Sequence, residues 1–458
     1  MSLTQDQIIS KKEWNESIRN AVESAMGLML DGKFTPVPCS AGFPVATKQQ
    51  FYNKAFLNAL DTRIETEDGL EVLKGSFSGY YKKVIHALKY DVSSADKALI
   101  NQEETAQKGL IGQIIDAYNQ IGLDEKPDEY IAVREIIKRV QEVTGKDYLS
   151  VDIKEYPEFG NLCSLLSQFA QRAVNYNKLS SAWSLAEIRK GAIVDHIENP
   201  DVANGGLKTN FSDVNIGWES IPETGQLLAG LKASKSIEIS MVANQFAQNS
   251  SDLHFESDVT ARIPFNWFLN LKVNNEHEYD LLKFAGSDAS MEMKVKFNGV
   301  TEVAAVPMNI SEDNAKGWFD DMILQEAAEK SGKDATGYQL NGSEFDREEV
   351  FGSKGKLRRL RTFVISQHPE ITLSFTHFQR EGMEEFFKQN TDISFNILGS
   401  LLGGGTHNND YSSHDYSYQE SEDKVTVTFS PAPIGDTGSL EKQTAYVLGG
   451  VVECYGKN

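Results

Sequence analysis

Apolar positions fall at helical spacing through the first two hundred residues and at strand spacing beyond them. Trp14, Ile18, Val22, Met26 and Leu30 stand four apart, one face of a helix. Thr4-x-x-Gln7 has the form of a capping box in front of them. Residues 34–44 carry three prolines and a glycine and read as a loop. Helices are predicted near 49–60, 69–88 and 94–121. Another opens at Pro127, with Asp128 and Glu129 in its first turn, runs through Val133, Ile136, Ile137, Val140 and Val143, and closes at Gly145. Between Pro157 and Pro200 the apolar steps alternate four and three through Leu162, Leu166, Phe169, Ala173 and Tyr176. After one irregular step Leu179, Trp183 and Ala186 continue the seam, and Lys190 interrupts it before Ile193 and Ile197. A 4–3 alternation is the seam of a helical bundle, here on a helix of ~35 residues or ~50 Å. Leu166, Phe169 and Trp183 are expected to be buried together on it.

Asn204-Gly205-Gly206 marks a change of period. Beyond it, 236–240, 291–297, 370–375 and 424–429 alternate strictly, each a half-buried strand with one wet face. A short helix is expected within 314–331. The fold class is α+β: an N-terminal helical bundle with a long helix, followed by two weakly duplicated antiparallel β-rich modules. The expected domains are 1–205, 206–340 and 341–458.

The duplication rests on three strand signatures. Ile239 and Leu373 are 134 positions apart, Val259 and Ile393 also 134, and Phe297 and Phe429 132. A near-constant offset through three strands is the mark of a repeat. Each copy also places an apolar stretch between two alternating strands. In the first it covers 261–273, with Ile263, Phe265, Trp267 and Leu269. In the second it covers 393–405, with Ile393, Phe395, Ile397, Leu401 and Leu402 ahead of Gly403-Gly404-Gly405.

Charge narrows the partners. The net charge is −21, from 45 basic and 66 acidic residues. Residues 1–200 hold 23 basic and 28 acidic side chains, so −16 of the −21 lies beyond residue 200. A nucleic-acid partner is excluded, because phosphates must be met by Lys and Arg. The first residues show no signal-peptide pattern, which points to a chain that is cytoplasmic as synthesised, with release by a signal-independent route as the exception. No apolar run approaches the ~18 residues of a membrane helix. Cys39, Cys163 and Cys454 are far apart and odd in number, which favours neither a disulfide framework nor a cysteine metal site.

Catalytic signatures fail on inspection. Gly75-Ser-Phe-Ser-Gly79 puts Phe77 where a nucleophile elbow needs serine, and its context reads as helical. No P-loop follows Gly403–Gly405. His407, Asp410, His414 and Asp415 lie in one polar run and are the weak candidates for a divalent cation; otherwise no cofactor is expected. Tyr411, Tyr416 and Tyr418, among polar neighbours, suit contacts to a carbohydrate or protein ligand.

Three function classes remain. The first is a non-enzymatic, self-assembling protein, a homo-oligomer acting on a lipid membrane or forming a pore. The alternatives are a carbohydrate- or protein-binding module without membrane activity, and an enzyme whose site is assembled from distant loops. The first is favoured by a long helical bundle joined to duplicated amphipathic β modules, by many Ser, Thr and Asn on strand faces and by the absence of catalytic motifs; membrane strands need only ~9–11 residues and carry weak alternating signals.

Overall fold

The computed structural model describes residues 5–27, 32–36, 42–45, 52, 54–66, 70–123, 133–209, 212–222, 224–233, 235–243, 246–247, 250–255, 258–264, 271–273, 277–278, 285–341, 344–352, 355–379, 383, 392–395, 409–412, 416–421, 424–431 and 444–455. The fold is α+β, with the long helices in the first half and several antiparallel sheets.

In chain order the first part comprises α1 (Gln5–Met26), β1 (Phe34–Pro36), β2 (Gly42–Pro44), α2 (Lys54–Leu60), β3 (Thr62–Thr66), β4 (Leu70–Ser76), α3 (Phe77–Ala87), β5 (Lys89–Asp91), α4 (Ser94–Ile121), α5 (Val133–Thr144) and α6 (Gly160–Glu198). There follow β6 (Leu207–Lys208), β7 (Val214–Asn215), β8 (Trp218–Ser220), α7 (Thr224–Leu231), β9 (Ser236–Ala243), β10 (Phe246–Ala247), β11 (Ser250–Phe255), β12 (Asp258–Pro264), β13 (Leu271–Val273), β14 (His277–Glu278), β15 (Ala285–Asn298), β16 (Thr301–Ala304) and β17 (Val306–Pro307). After a helix at Asp321–Lys330 come β18 (Gly337–Gln339), a short helix at Arg347–Phe351, β19 (Arg358–Ser366), β20 (Glu370–Phe378), β21 (Asp392–Phe395), β22 (Asn409–Ser412), β23 (Tyr416–Glu420), β24 (Lys424–Phe429) and β25 (Thr444–Cys454).

Two compact units are formed. The larger comprises residues 1–85, 193–321 and 346–458; the smaller comprises 86–192 and 322–345.

The larger unit is built on an eight-stranded sheet of order β10-β11-β9-β15-β20-β24-β23, with β12 on β11. Its centre is four strands whose alternate residues are buried: Ile237, Ile239 and Met241; Met291, Met293, Val295 and Phe297; Ile371, Leu373 and Phe375; Val425, Val427 and Phe429. The stripe Trp14, Ile18, Val22 and Met26 of α1 belongs to the same core. Each such side chain contributes ~1.5–3 kcal/mol through burial. Leu30, the last of the expected stripe, lies outside the described residues.

The repeat is visible in the pairing register. Ile237 faces Phe297, Ile239 faces Val295 and Met241 faces Met293 across β9 and β15. Ile371 faces Phe429, Leu373 faces Val427 and Phe375 faces Val425 across β20 and β24. The second pairing is the first shifted by 134 positions on one strand (237 to 371) and 132 on the other (297 to 429). The two hairpins lie side by side in one sheet, joined by β15 and β20. The third expected correspondence fails. Val259 lies on β12, which pairs with β11, whereas Ile393 lies on β21 in a separate four-stranded sheet. β12 pairs within its own arm, whereas β21 pairs with β13 of the other arm and with β22, so the two strands occupy different places in the fold.

A second sheet in this unit runs β1-β25-β19-β3-β4, with β2 on β25 and β16 on β19. Residues 34–44 are therefore not a plain loop: β1 and β2 pair with β25, anchored by the fully buried Phe34. The expected helix at 69–88 is a strand followed by a helix, with the chain turning at Gly75, φ +94°.

In the smaller unit α4, α5 and the start of α6 enclose Ile114, Ala117, Tyr118, Ile136, Val140, Phe159, Leu162, Cys163, Leu165 and Leu166. Ser93 caps α4 by accepting from the Asp96 N–H, and Gly122 ends it in the left-handed conformation. Phe169 packs half-buried at the margin of this core. Trp183 does not continue the seam: it is 56% exposed, as are its neighbours Leu185 and Ile188 at 63% and 58%. The 4–3 pattern outlasts the packing because α5, only 12 residues long, covers one end of a 39-residue helix. Leu166→Ala is expected to cost ~2–5 kcal/mol, and Trp183→Ala less than about 0.5 kcal/mol. Urea unfolding of the two variants measures both.

Candidate functional site

The long connections of the two repeated hairpins are the strongest candidate. β9 and β20 run in the same direction, since both are antiparallel to β15. Residues 244–284, which link β9 to β15, and 379–423, which link β20 to β24, therefore leave the sheet from the same end. These two arms contain the apolar stretches singled out above.

Where described, the arms meet. β13 and β21 pair antiparallel, Leu271 facing Phe395 and Lys272 facing Ser394, within a sheet of order β14-β13-β21-β22. The two stretches, expected as equivalent segments, are thus hydrogen-bonded to one another. Ile263 sits on β12 opposite Leu253, and Ile393 sits opposite Tyr411. Phe265, Trp267, Leu269, Ile397, Leu401 and Leu402 lie outside the described residues.

Each arm also supplies a strand to the edge of its own hairpin. On β9, β11 is held by His254 facing Val242 and Phe255 facing Met241. On β24, β23 is held along its whole length, from Tyr416 facing Phe429 to Glu420 facing Val425. The polar face of the sheet bears a row of charge. Lys294 lies 3.6 Å from Glu238 and 3.3 Å from Glu292, and Lys424 lies 3.6 Å from Glu292. Solvent-exposed pairs of this kind contribute ~0–1 kcal/mol each.

The three candidate ligand-binding tyrosines are divided between sheets. Tyr411 is on β22, and Tyr416 and Tyr418 are on β23. Tyr418 packs half-buried against the core of the large sheet. Of the candidate cation ligands, Asp410 lies on β22, facing Ser394, while His407, His414 and Asp415 are outside the described residues. Among the described residues no group of three or more His, Cys, Asp and Glu side chains could hold a metal ion. No helix among them is long and apolar enough to cross a membrane.

The Gly75–Gly79 motif takes a different form from its helical reading, since it joins a strand to a helix. The side chains around it serve α3. Asp61 accepts from the Ser78 N–H at 2.8 Å through Oδ1 and from the Ser78 hydroxyl at 2.5 Å through Oδ2. Its backbone carbonyl accepts from the Phe77 N–H at 2.8 Å, and Ser76 Oγ accepts from the Gly79 N–H at 3.0 Å. The first N–H groups of α3 are thereby satisfied from outside the helix. Sequence spacing could not show this, because Asp61 lies before β3.

No protein-family model matches the chain, and no curated protein or solved structure matches it either.

Burial pushes the Asp61 carboxyl up to about 6, against the hydrogen bonds from Ser78 and Ser76 and the attraction of Arg359, which act to lower it. With its folded pKa above its unfolded value, this group binds protons more tightly in the fold. Its contribution is fully present below the unfolded pKa and is lost as pH rises through about 6. Asp61→Asn keeps an oxygen acceptor and removes the titration. The difference in unfolding free energy between variant and wild type should shift toward the variant by up to about 3 kcal/mol between pH 4 and 7.5. Urea titrations of both proteins across that range check it.

Proposed function

We propose that this protein is a non-enzymatic, self-assembling protein whose two arms act on lipid membranes, with a pore as the assembled product. The observation that carries this reading is the repeat: two hairpins in matching register lie side by side, and the connections of both leave from one end of the sheet.

A sheet that repeats by translation can be continued by another copy. Within the chain β15 meets β20 with Val295 facing Ile371 and Met293 facing Leu373. β24 is the equivalent of β15, and β9 is the equivalent of β20. The β24 edge of one copy therefore suits the β9 edge of the next, with Val427 facing Ile237 and Val425 facing Ile239. β23 occupies that edge of β24 in the single chain and must leave it for assembly. Each arm is long enough for a hairpin of two membrane strands of ~9–11 residues. Closing such hairpins into a ring satisfies every backbone group, which is the condition for strands in lipid. The acidic surface opposes association before that point through like-charge repulsion.

Two measurements test the reading. Phe395→Asp is expected to abolish dye release from liposomes while circular dichroism stays that of the wild type. If the wild-type protein, assayed across pH and lipid composition, neither binds liposomes nor releases dye, the membrane reading is wrong. For assembly, Glu292 faces Ser374 inside the chain; the intermolecular equivalent is Lys424 facing Ser240. A double variant, Ser240→Cys with Lys424→Cys, is expected to give a ladder of disulfide-linked multimers after liposome exposure. Monomers alone after oxidation would refute assembly in this register.

A further inference from the structure

The long helix α6 carries a second seam, on its exposed side. Lys178, Ser181, Leu185, Ile188, Ala192 and Asp195 follow one another at steps of three and four, and so lie on one face. Leu185 and Ile188, at the middle of it, are 63% and 58% exposed. Ala192 is half-buried, and Lys178, Ser181 and Asp195 are exposed. Trp183 stands about 200° around the helix from Leu185 and belongs to the other seam. Alternate steps of three and four are what one helix presents to another along its length.

The face matches itself when reversed. Turned end for end about the point between Leu185 and Ile188, it sets Leu185 against Ile188, Ser181 against Ala192 and Lys178 against Asp195. Apolar meets apolar, small meets small and cation meets anion, which is the self-complementarity that a two-fold interface requires. Among the described residues neither Lys178 nor Asp195 takes part in an ion pair; Asp195 accepts from the Asn199 side-chain amide at 2.8 Å. The flanks are small. Ser184 and Gly191 lie on one side and Ala182 on the other, and a Cβ built on Gly191 would meet nothing within 4 Å. Charge also favours this face for a second copy. With a net charge of −21 two copies repel one another, whereas residues 173–186 hold Lys178 as their sole charge.

We propose that α6 pairs antiparallel with α6 of a second copy, giving a two-fold dimer in solution centred between Leu185 and Ile188. Leu185 and Ile188 of both copies form its apolar middle, and Lys178 of each copy meets Asp195 of the other at its two ends. The two-fold closes this contact at two copies. The assembly proposed above continues from sheet edge to sheet edge and follows exposure to lipid, so either can hold without the other.

Sedimentation equilibrium of the full-length protein, without lipid and from about 1 to 100 μM, tests the proposal. A reductant is kept present, because Cys454 is exposed and could link copies by a disulfide. A dimer is expected in this range. Leu185→Glu and Ile188→Glu should each raise the dissociation constant about tenfold or more, since each brings an unpaired carboxylate into the apolar middle. Both positions are exposed in the single chain, so circular dichroism should stay that of the wild type. Lys178→Glu sets like charges together at both ends and should weaken the dimer about fivefold. Adding Asp195→Lys to that variant should restore the wild-type affinity. In a parallel dimer each position would face its own copy, and the double exchange would rescue nothing. A wild-type protein that stays monomeric at about 100 μM, a dimer indifferent to both glutamates, or a charge exchange without rescue would overturn the proposal.

Discussion

The apolar face shared by β9, β15, β20 and β24, closed over by α1, is the interaction on which the larger unit depends. A strand shifted by one residue turns its whole apolar set to the other face. Ile239, Val295, Leu373 and Val427 therefore set the alignment of every strand beside them. The buried stripe Trp14, Ile18, Val22 and Met26 closes this face with helical spacing, and Phe34 and Leu448 extend the same core toward the second sheet. The polar face needs no such agreement. Glu238, Lys294, Glu292 and Lys424 meet there in weak pairs, and Thr372 and Thr428 share a hydroxyl contact of 3.2 Å.

That division of labour explains how the repeat persists in register while identity is low. Burial constrains alternate positions to be apolar and of compatible size, and leaves the intervening ones free. The first hairpin uses Met241 and Met293 where the second uses Phe375 and Val425. The volumes differ, but the pattern of in and out does not. In the arms the two copies diverge, one building β11 and β12 on its hairpin and the other building β23.

The same contrast decides what could be read from the chain. The stripe of α1, the helices α4 and α5, the start of α6 and all four central strands were legible, because each presents a period that burial enforces. The offsets at 239 and 373 and at 297 and 429 were legible for the same reason. Strands of two or three residues were not: β1 and β2 carry prolines that mimic a loop, and their pairing with β25 links positions some four hundred residues apart. The exposure of Trp183 was invisible because a seam reports which face is apolar and not whether a partner reaches it. Of the candidate site, the apolar stretches were legible, whereas the pairing of Leu271 with Phe395 joins strands of three and four residues, too short for their alternation to specify a partner.

Local stability follows from these differences and bears on how the arms can act. The central strands hold each other through long runs of paired residues and a common buried face. Among the described residues the arms are joined by Leu271 facing Phe395 and Lys272 facing Ser394, and the first arm meets β9 at Val242 and Met241. Opening free energies are lowest where few buried contacts must be broken. In the proposed assembly the sheet, held by its four central strands, is the fixed template on which rearranged arms extend. β23 pairs with β24 through all five of its residues, and Tyr418 packs half-buried against the core. In the proposed assembly its release costs that pairing. An incoming β9 edge offsets that cost by restoring the same backbone pairing. The proposed assembly thus couples exposure of the β24 edge to the presence of another copy that pairs with it.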